Sequence, residues 1–192
     1  MFNHPQLIET LNARIHKHTP LIIGIDGRSA SGKTTLAQAI AKQYGASVIH
    51  MDDFFLPANL QTHEQLKKIG GNIDFERFIT QVKLPLQSAL SITYDIFSCK
   101  EQKIIRTQII DNPTIVIVEG AYSHHPHLRD LYNLTIYLHH DKDTQQKRIL
   151  ARNGISGLKL FNQRWIPREE DFFSSYLIKE NAELVIDTRS LF

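Results

Sequence analysis

The sequence predicts an α/β fold with a parallel sheet at its centre, and three observations predict it. Leu21–Ile25 is an apolar run that passes into a glycine-containing loop and then a helix-forming segment. Thr114–Val118 (TIVIV) is β-branched without alternation, the mark of a strand buried on both faces. Segments of helical period separate such runs, as crossover connections require. The 192 residues, 42% of them hydrophobic, suffice for one domain with a substantial core, so a single domain over residues 1–192 is expected.

Between Pro5 and His18, Leu7, Ile8, Leu11 and Ile15 fall at helical spacing and predict an amphipathic helix with a structural role. The first strand then enters G-x-x-x-x-G-K-[ST], spelled by Gly27, Gly32, Lys33 and Thr34, followed by a helix over Thr35–Tyr44 that Gly45 ends. This pattern is a phosphate-binding loop. Gly27, Ser29, Ala30, Ser31, Gly32, Lys33, Thr34 and Thr35 are expected to turn backbone N–H groups around phosphate oxygens, aided by the helix N-terminus. Lys33 would reach the outer phosphates of a nucleotide and the Thr34 hydroxyl would take a position on Mg²⁺. The plainer reading is a glycine turn joining a strand to a helix.

A second strand, Ser47–Met51, stops at Asp52-Asp53-Phe54-Phe55. Carboxylates beyond the C-terminal end of such a strand lie in the crevice where α/β sheets bind ligands; alone, they would read as a helix cap or a solvated turn. Pro57–Gly71 is polar and turn-rich, and Gly70-Gly71-Asn72 marks a loop able to move. Asp74 caps a predicted helix, Phe75–Leu90, with Phe78, Ile79, Val82 and Leu86 on its apolar face and a bend at Pro85. Ile92–Phe97 and Lys103–Ile110 predict a hairpin around the turn Ser98–Gln102, an insertion at about 91–110. It is either a simple edge hairpin or a shelter for an acceptor, and in the second case Phe55, Asp74, Tyr94 and Asp95 offer aromatic surface and hydroxyl-binding carboxylates.

The TIVIV strand ends in Glu119 and Gly120, an acid placed to hold Mg²⁺ or its water shell. Leu134–Leu138 and Leu184–Ile186 are the fourth and fifth strands. Between them, Asp141–Asn153 predicts a helix carrying Arg148 and Arg152 one turn apart. Gly154 and Gly157 open a stretch to Arg164 that is expected to be a flexible lid, at about 153–166, closing over a transferring phosphoryl group; the alternative is an ordinary basic helix face. A last helix is predicted over Trp165–Ala182, with Glu169 and Glu170 in its first turn.

Net charge +2 with no long run of Lys or Arg calls for no nucleic-acid groove, and a phosphorylated small molecule suffices as the acidic partner. One cysteine, Cys99, allows no internal disulfide. The first eighteen residues hold neither a signal-peptide core nor a membrane span, so a cytoplasmic protein without membrane contact is expected. The His124-His125-Pro126-His127 and His139-His140 sets lack zinc-ligand spacing and read as surface or pocket-rim residues. A GTPase-type switch would need D-x-x-G and [NT]-K-x-D, and neither occurs.

IGIDGRSASGKTTLA, the strand ending in MDDFF, the hairpin beginning YDIFSC, VIVEGAY and the KRILAR helix together resemble the uridine kinase and nicotinamide riboside kinase branch of phosphate-loop kinases, over nearly the whole chain beyond Thr19. The resemblance implies a P-loop three-layer sandwich with a five-stranded parallel sheet in the order 2-3-1-4-5. It implies ATP and Mg²⁺ as cofactors, with Lys33 and Thr34 on the ATP phosphates and the metal, Asp52 as general base near the metal, Glu119 in support, and Arg148 with Arg152 in the lid. The acceptor it implies is a nucleoside-like small molecule, with a homo-oligomer as a possible assembly. Where uridine–cytidine kinases carry a base-contacting His in the hairpin, this sequence has Cys99, and a thiol is a poor hydrogen-bonding substitute for imidazole.

Overall fold

The computed structural model describes residues 4–88 and 91–190. Its main sheet comprises β1 (Leu21–Gly27), β2 (Ser47–His50), β5 (Ile115–Glu119), β6 (Leu134–His139) and β7 (Leu184–Asp187). The spatial order is β2-β5-β1-β6-β7, every pairing parallel, which is the expected 2-3-1-4-5 once the hairpin strands are set aside. Those hairpin strands, β3 (Ile92–Ser98) and β4 (Lys103–Ile110), pair antiparallel with each other in a separate sheet.

Alternation along β1 and β5 divides the core in two. Leu21, Ile23, Ile25, Ile115 and Ile117 face the layer formed by α1 (Pro5–Ile15) and α2 (Lys33–Tyr44), whose Leu7, Leu11, Leu36 and Ile40 are buried. Ile22, Val116 and Val118 face the opposite layer, together with Phe54, Phe78, Tyr94 and Phe172. All seven residues of β1 are buried, so helices cover both faces of the sheet's centre. The hairpin joins the second core mainly through β3, whose Tyr94 stacks on Phe54 with ring centroids 5.5 Å apart, while β4 is exposed along most of its length and buries only its last residue, Ile110, there.

Three helical segments differ from the sequence expectation. After the short α3 (His63–Lys67), Asp74 caps as anticipated, its side chain accepting from Arg77 N at 3.0 Å. The helix that follows runs as α4 (Phe75–Phe78), a π turn over Ile79–Lys83 and α5 (Leu84–Gln87). Pro85 has no N–H to offer Gln81, and the wider turn bonds Leu84 N to Ile79 O instead. Ala89 and Leu90 of the predicted helix lie outside the described residues.

The stretch expected as a flexible loop at 153–166 is helical. Helix α6 spans Lys142–Leu160 and passes through a π turn, Phe161–Trp165, into α7 (Ile166–Tyr176). One glycine in a helix costs only about 1 kcal/mol, and Ile155, Leu158 and Leu160 favour the helix around it. Gly154 alone leaves helical geometry, at φ 69° and ψ −176°, and kinks the run. The last helix ends at Tyr176 rather than Ala182, because Leu177 turns left-handed at φ 49°.

Candidate active site

The end of β1 is shaped by close approach. A Cβ at Gly27 would sit 2.3 Å from the Leu138 carbonyl oxygen, so only glycine lets the chain leave the sheet here. Below the loop, fully buried Asp26 accepts from Gly27 N at 2.7 Å and His124 N at 2.9 Å, tying the loop to the segment after β5. Burial pushes the Asp26 carboxyl up and the His124 imidazole down. Gly32, at φ 92°, leads into α2 and aims that helix's first N–H groups at the loop. Lys33 Nζ donates to the Gly27 and Arg28 carbonyls at 2.7 and 3.0 Å.

Residues Ser29 to Thr35 line a cleft of about 530 Å³. Its floor carries an oxygen-rich cluster: Thr34 Oγ1 donates to Glu119 Oε1 at 3.0 Å, and His50 Nδ1 lies 2.6 Å from the same oxygen. The Glu119 hydrogen bond holds the His50 imidazolium above its usual range. Hydroxyl and carboxylate oxygens suit a hard divalent cation such as Mg²⁺. The Ser31 hydroxyl, 1% exposed and without a partner among the described residues, suits a phosphate oxygen. The donors present therefore fit a metal–nucleotide pair.

Past β2 the chain takes a 3₁₀ turn, Met51–Phe54, in which successive side chains point apart. Met51 and Phe54 are buried in the core, Asp52 opens into the cleft, and Asp53 faces another surface with Tyr94 and Arg106. Asp52 reaches solvent across the cleft but is crowded by protein; that desolvation first, and the Glu119 charge second, push its carboxyl up, with Lys33 opposing them. Phe55 and Asn72 line the same wall.

From the opposite side come Arg148, Arg152, Phe161, Trp165 and Glu169. Arg148 Nη1 donates to Ala30 O at 3.3 Å and Thr188 Oγ1 at 3.0 Å, while the Arg152 guanidinium lies 5.6 Å from the Phe161 ring centre. Glu169, 5% exposed, accepts from Ser29 N at 3.0 Å and from the Ser29 hydroxyl. Burial pushes its carboxyl up, against the pull of Lys33.

Four residues expected around the acceptor stand outside this cleft. Asp74 caps α4 and pairs with Arg77 at 3.5 Å; Tyr94 is packed into the core. Asp95 accepts from Gln81 Nε2 at 3.1 Å, which fixes the hairpin to the helix, and from Thr107 Oγ1 of the paired strand at 2.7 Å. Cys99 is exposed at the hairpin's turn, its thiol pushed up by partial burial and then by the Asp52 charge. The hairpin's turn is tied instead to the segment after β2, where the Gln102 side chain accepts from Ala58 N at 2.9 Å. His124 and His140 are buried rather than on the surface or a pocket rim, whereas His125, also buried, lines a second hollow with His127. His50, Asn72 and Glu169 are not singled out as site residues by the sequence: His50 meets Glu119 across 69 positions and Glu169 meets Ser29 across 140, and Asn72 reads only as part of a glycine-marked loop.

The family model for phosphoribulokinase and uridine kinase matches residues 22–156. The chain belongs to that family. Among curated relatives, a uridine kinase-like protein of Arabidopsis thaliana is 27% identical over 145 residues, covering 71% of this chain and 31% of its own length. The uridine kinase of Saccharomyces cerevisiae is 27% identical over 151 residues, covering 72% and 30%. This uridine kinase-like chain thus spans about a third of the length of those relatives. The uridine kinase of Lactococcus lactis is nearer in size, at 28% identity over 69% of this chain and 68% of that one. A solved structure described as a possible uridine kinase from Bacillus stearothermophilus shares the fold at TM-score 0.71 and 20% identity, covering 95% of this chain and 100% of that one. Among the described residues no helix is long and apolar enough to cross a membrane.

Proposed function

We propose that the protein is an ATP-dependent kinase that transfers the γ-phosphoryl group to a hydroxyl of a nucleoside-like small molecule. The observation that carries this reading is one cleft lined both by the phosphate loop with Lys33, Thr34 and Glu119 and by the Asp52 carboxylate. Membership in the uridine kinase family supports it.

In this reading the loop N–H groups and the Ser31 hydroxyl bind the phosphates, and Lys33 leaves its two carbonyls for the outer phosphate oxygens. Thr34, Glu119 and Asp52 would hold Mg²⁺, which when bound neutralises phosphate charge. Asp52 accepts the proton of the attacked hydroxyl; that oxygen bonds to the γ-phosphorus as the bond to the β–γ bridging oxygen breaks, and ADP departs. Arg148 and Arg152 stabilise the charge spread over the transferring group, and Phe161 with Trp165 excludes water from it. Phosphoryl transfer needs positioning more than covalent chemistry, and these side chains provide it.

ADP release across ribosides, 2′-deoxyribosides, nicotinamide riboside, pantothenate and simple sugars tests the proposal. Riboside-dependent ADP release is the expected result. Turnover with pantothenate or sugars alone would overturn the nucleoside-like acceptor, and acceptor-independent hydrolysis alone would point to a nucleotide-binding protein without this transferase activity.

A further inference from the structure

Asn72 is 2% exposed, lines the cleft beside Asp52 and Phe55, and its buried Nδ2 has no hydrogen-bond partner among the described residues. The backbone around it is pinned. Leu56 N donates to Asn72 O at 2.9 Å, Asp74 N donates to Phe54 O at 2.7 Å, and Phe55 pairs with Ile73 in an antiparallel bridge. Residue 72 is thus fixed next to the turn that presents Asp52. A buried amide without a partner costs stability, so a fixed one facing a binding cleft is waiting for a ligand atom. Its N–H groups can only donate, so that atom is an oxygen or nitrogen lone pair.

We propose that Asn72 Nδ2 donates to a second oxygen of the acceptor whose attacked hydroxyl Asp52 receives, and thereby selects oxygenated, sugar-like acceptors over their deoxy analogues. This rests on the kinase reading above. A site that hydrogen-bonds a hydroxyl rejects the analogue lacking it, because the protein group is left buried and unpaired.

The test is Asn72→Leu, which keeps the side chain's size and removes its polar atoms. Acceptor kcat/KM should fall about tenfold or more, with KM for ATP changed less than about twofold. The preference for the acceptor over one of its single-deoxy analogues should collapse, and the melting temperature should hold or rise, because an unpaired amide has gone. An unchanged acceptor KM and deoxy preference would overturn the proposal, as would a fall in melting temperature that weakens ATP and acceptor together. Should the Asn72→Leu variant not fold, Asn72→Ser reads the same preference. Wild-type protein that binds ATP yet phosphorylates nothing in the panel would overturn the kinase reading and this assignment with it; an active wild type whose Asn72→Leu variant keeps the same acceptor preference overturns this assignment alone.

Discussion

The phosphate-loop side of the cleft and the hairpin side both carry charged residues, but they use them differently. Around the loop, contacts are ones a ligand can exchange: Lys33 rests on carbonyls and the Ser31 hydroxyl has no partner among the described residues. On the hairpin side the carboxylates are committed to protein, Asp74 to a helix N-terminus and Asp95 to Gln81 and Thr107. A charged residue near a cleft is therefore informative only once its hydrogen bonds are accounted for. The first region leaves polar groups for a ligand and the second holds the architecture in place.

The largest effect should come from Lys33→Ala. Phosphoryl transfer falls roughly a thousandfold, and the melting temperature stays within a few degrees because the side chain bonds only loop carbonyls. Turnover close to wild type would remove the contrast between the two regions. Next, Asp52→Asn should lower kcat about a hundredfold while Mg·ATP still binds, and Asp53→Asn, facing away from the cleft, should cost far less. In the proposed reading Asp52 is the base and works deprotonated, and desolvation with the Glu119 charge raises its pKa, so the acid limb of the wild-type kcat/KM profile should lie above the usual carboxylate range, with the rate falling as pH drops through it. A limb at the ordinary position would assign it to another group.

Tyr94→Ala probes the other region. Losing a buried ring stacked on Phe54 should destabilise the fold by about 3 kcal/mol in denaturant titration, with KM for ATP near wild type in the folded fraction. A variant that keeps its stability and loses only acceptor binding would move Tyr94 to the substrate side. The smallest effect expected is at Arg152, whose guanidinium rests on the Phe161 ring at the cleft: Arg152→Ala should reduce kcat about tenfold with acceptor KM little changed. Loss of thermal stability alone would make it a structural helix residue.

What could be read from the sequence follows the range of the interactions. The loop, its strand and its helix lie within one continuous stretch, and the β-branched runs carry the sheet, so both were legible. The acids at Asp52 and Glu119 were legible because each follows directly on a strand. His50 and Glu169 were not, since each acquires its meaning from residues far along the chain, as when Glu169 meets the loop at Ser29, and Asn72 reads only as part of a glycine-marked loop. The hairpin's position was readable from its alternation, whereas which of its polar side chains face the cleft depends on Gln81 and Arg77 of the neighbouring helix. Two glycines suggested a loop at 153–166, where the surrounding residues sustain a helix and Gly154 only breaks its line.

That break has a consequence for how such a molecule diversifies. The arm of α6 before Gly154 is fastened to the phosphate loop, Gln145 Nε2 to Ser29 O at 3.3 Å and Arg148 to Ala30, whereas the arm after it carries Phe161 toward Trp165 at the cleft's rim, with Ile155 81% exposed. Space around Gly154 is open, with nothing within 4 Å of an added Cβ, and the two arms are held to each other by a reciprocal amide pair, Gln146 with Asn162 at 2.7 and 2.9 Å, and by Arg152 over the Phe161 ring. Exchanges at Phe161 and Trp165 would therefore reshape the cleft's rim while the inner arm keeps its bonds to Ser29 and Ala30.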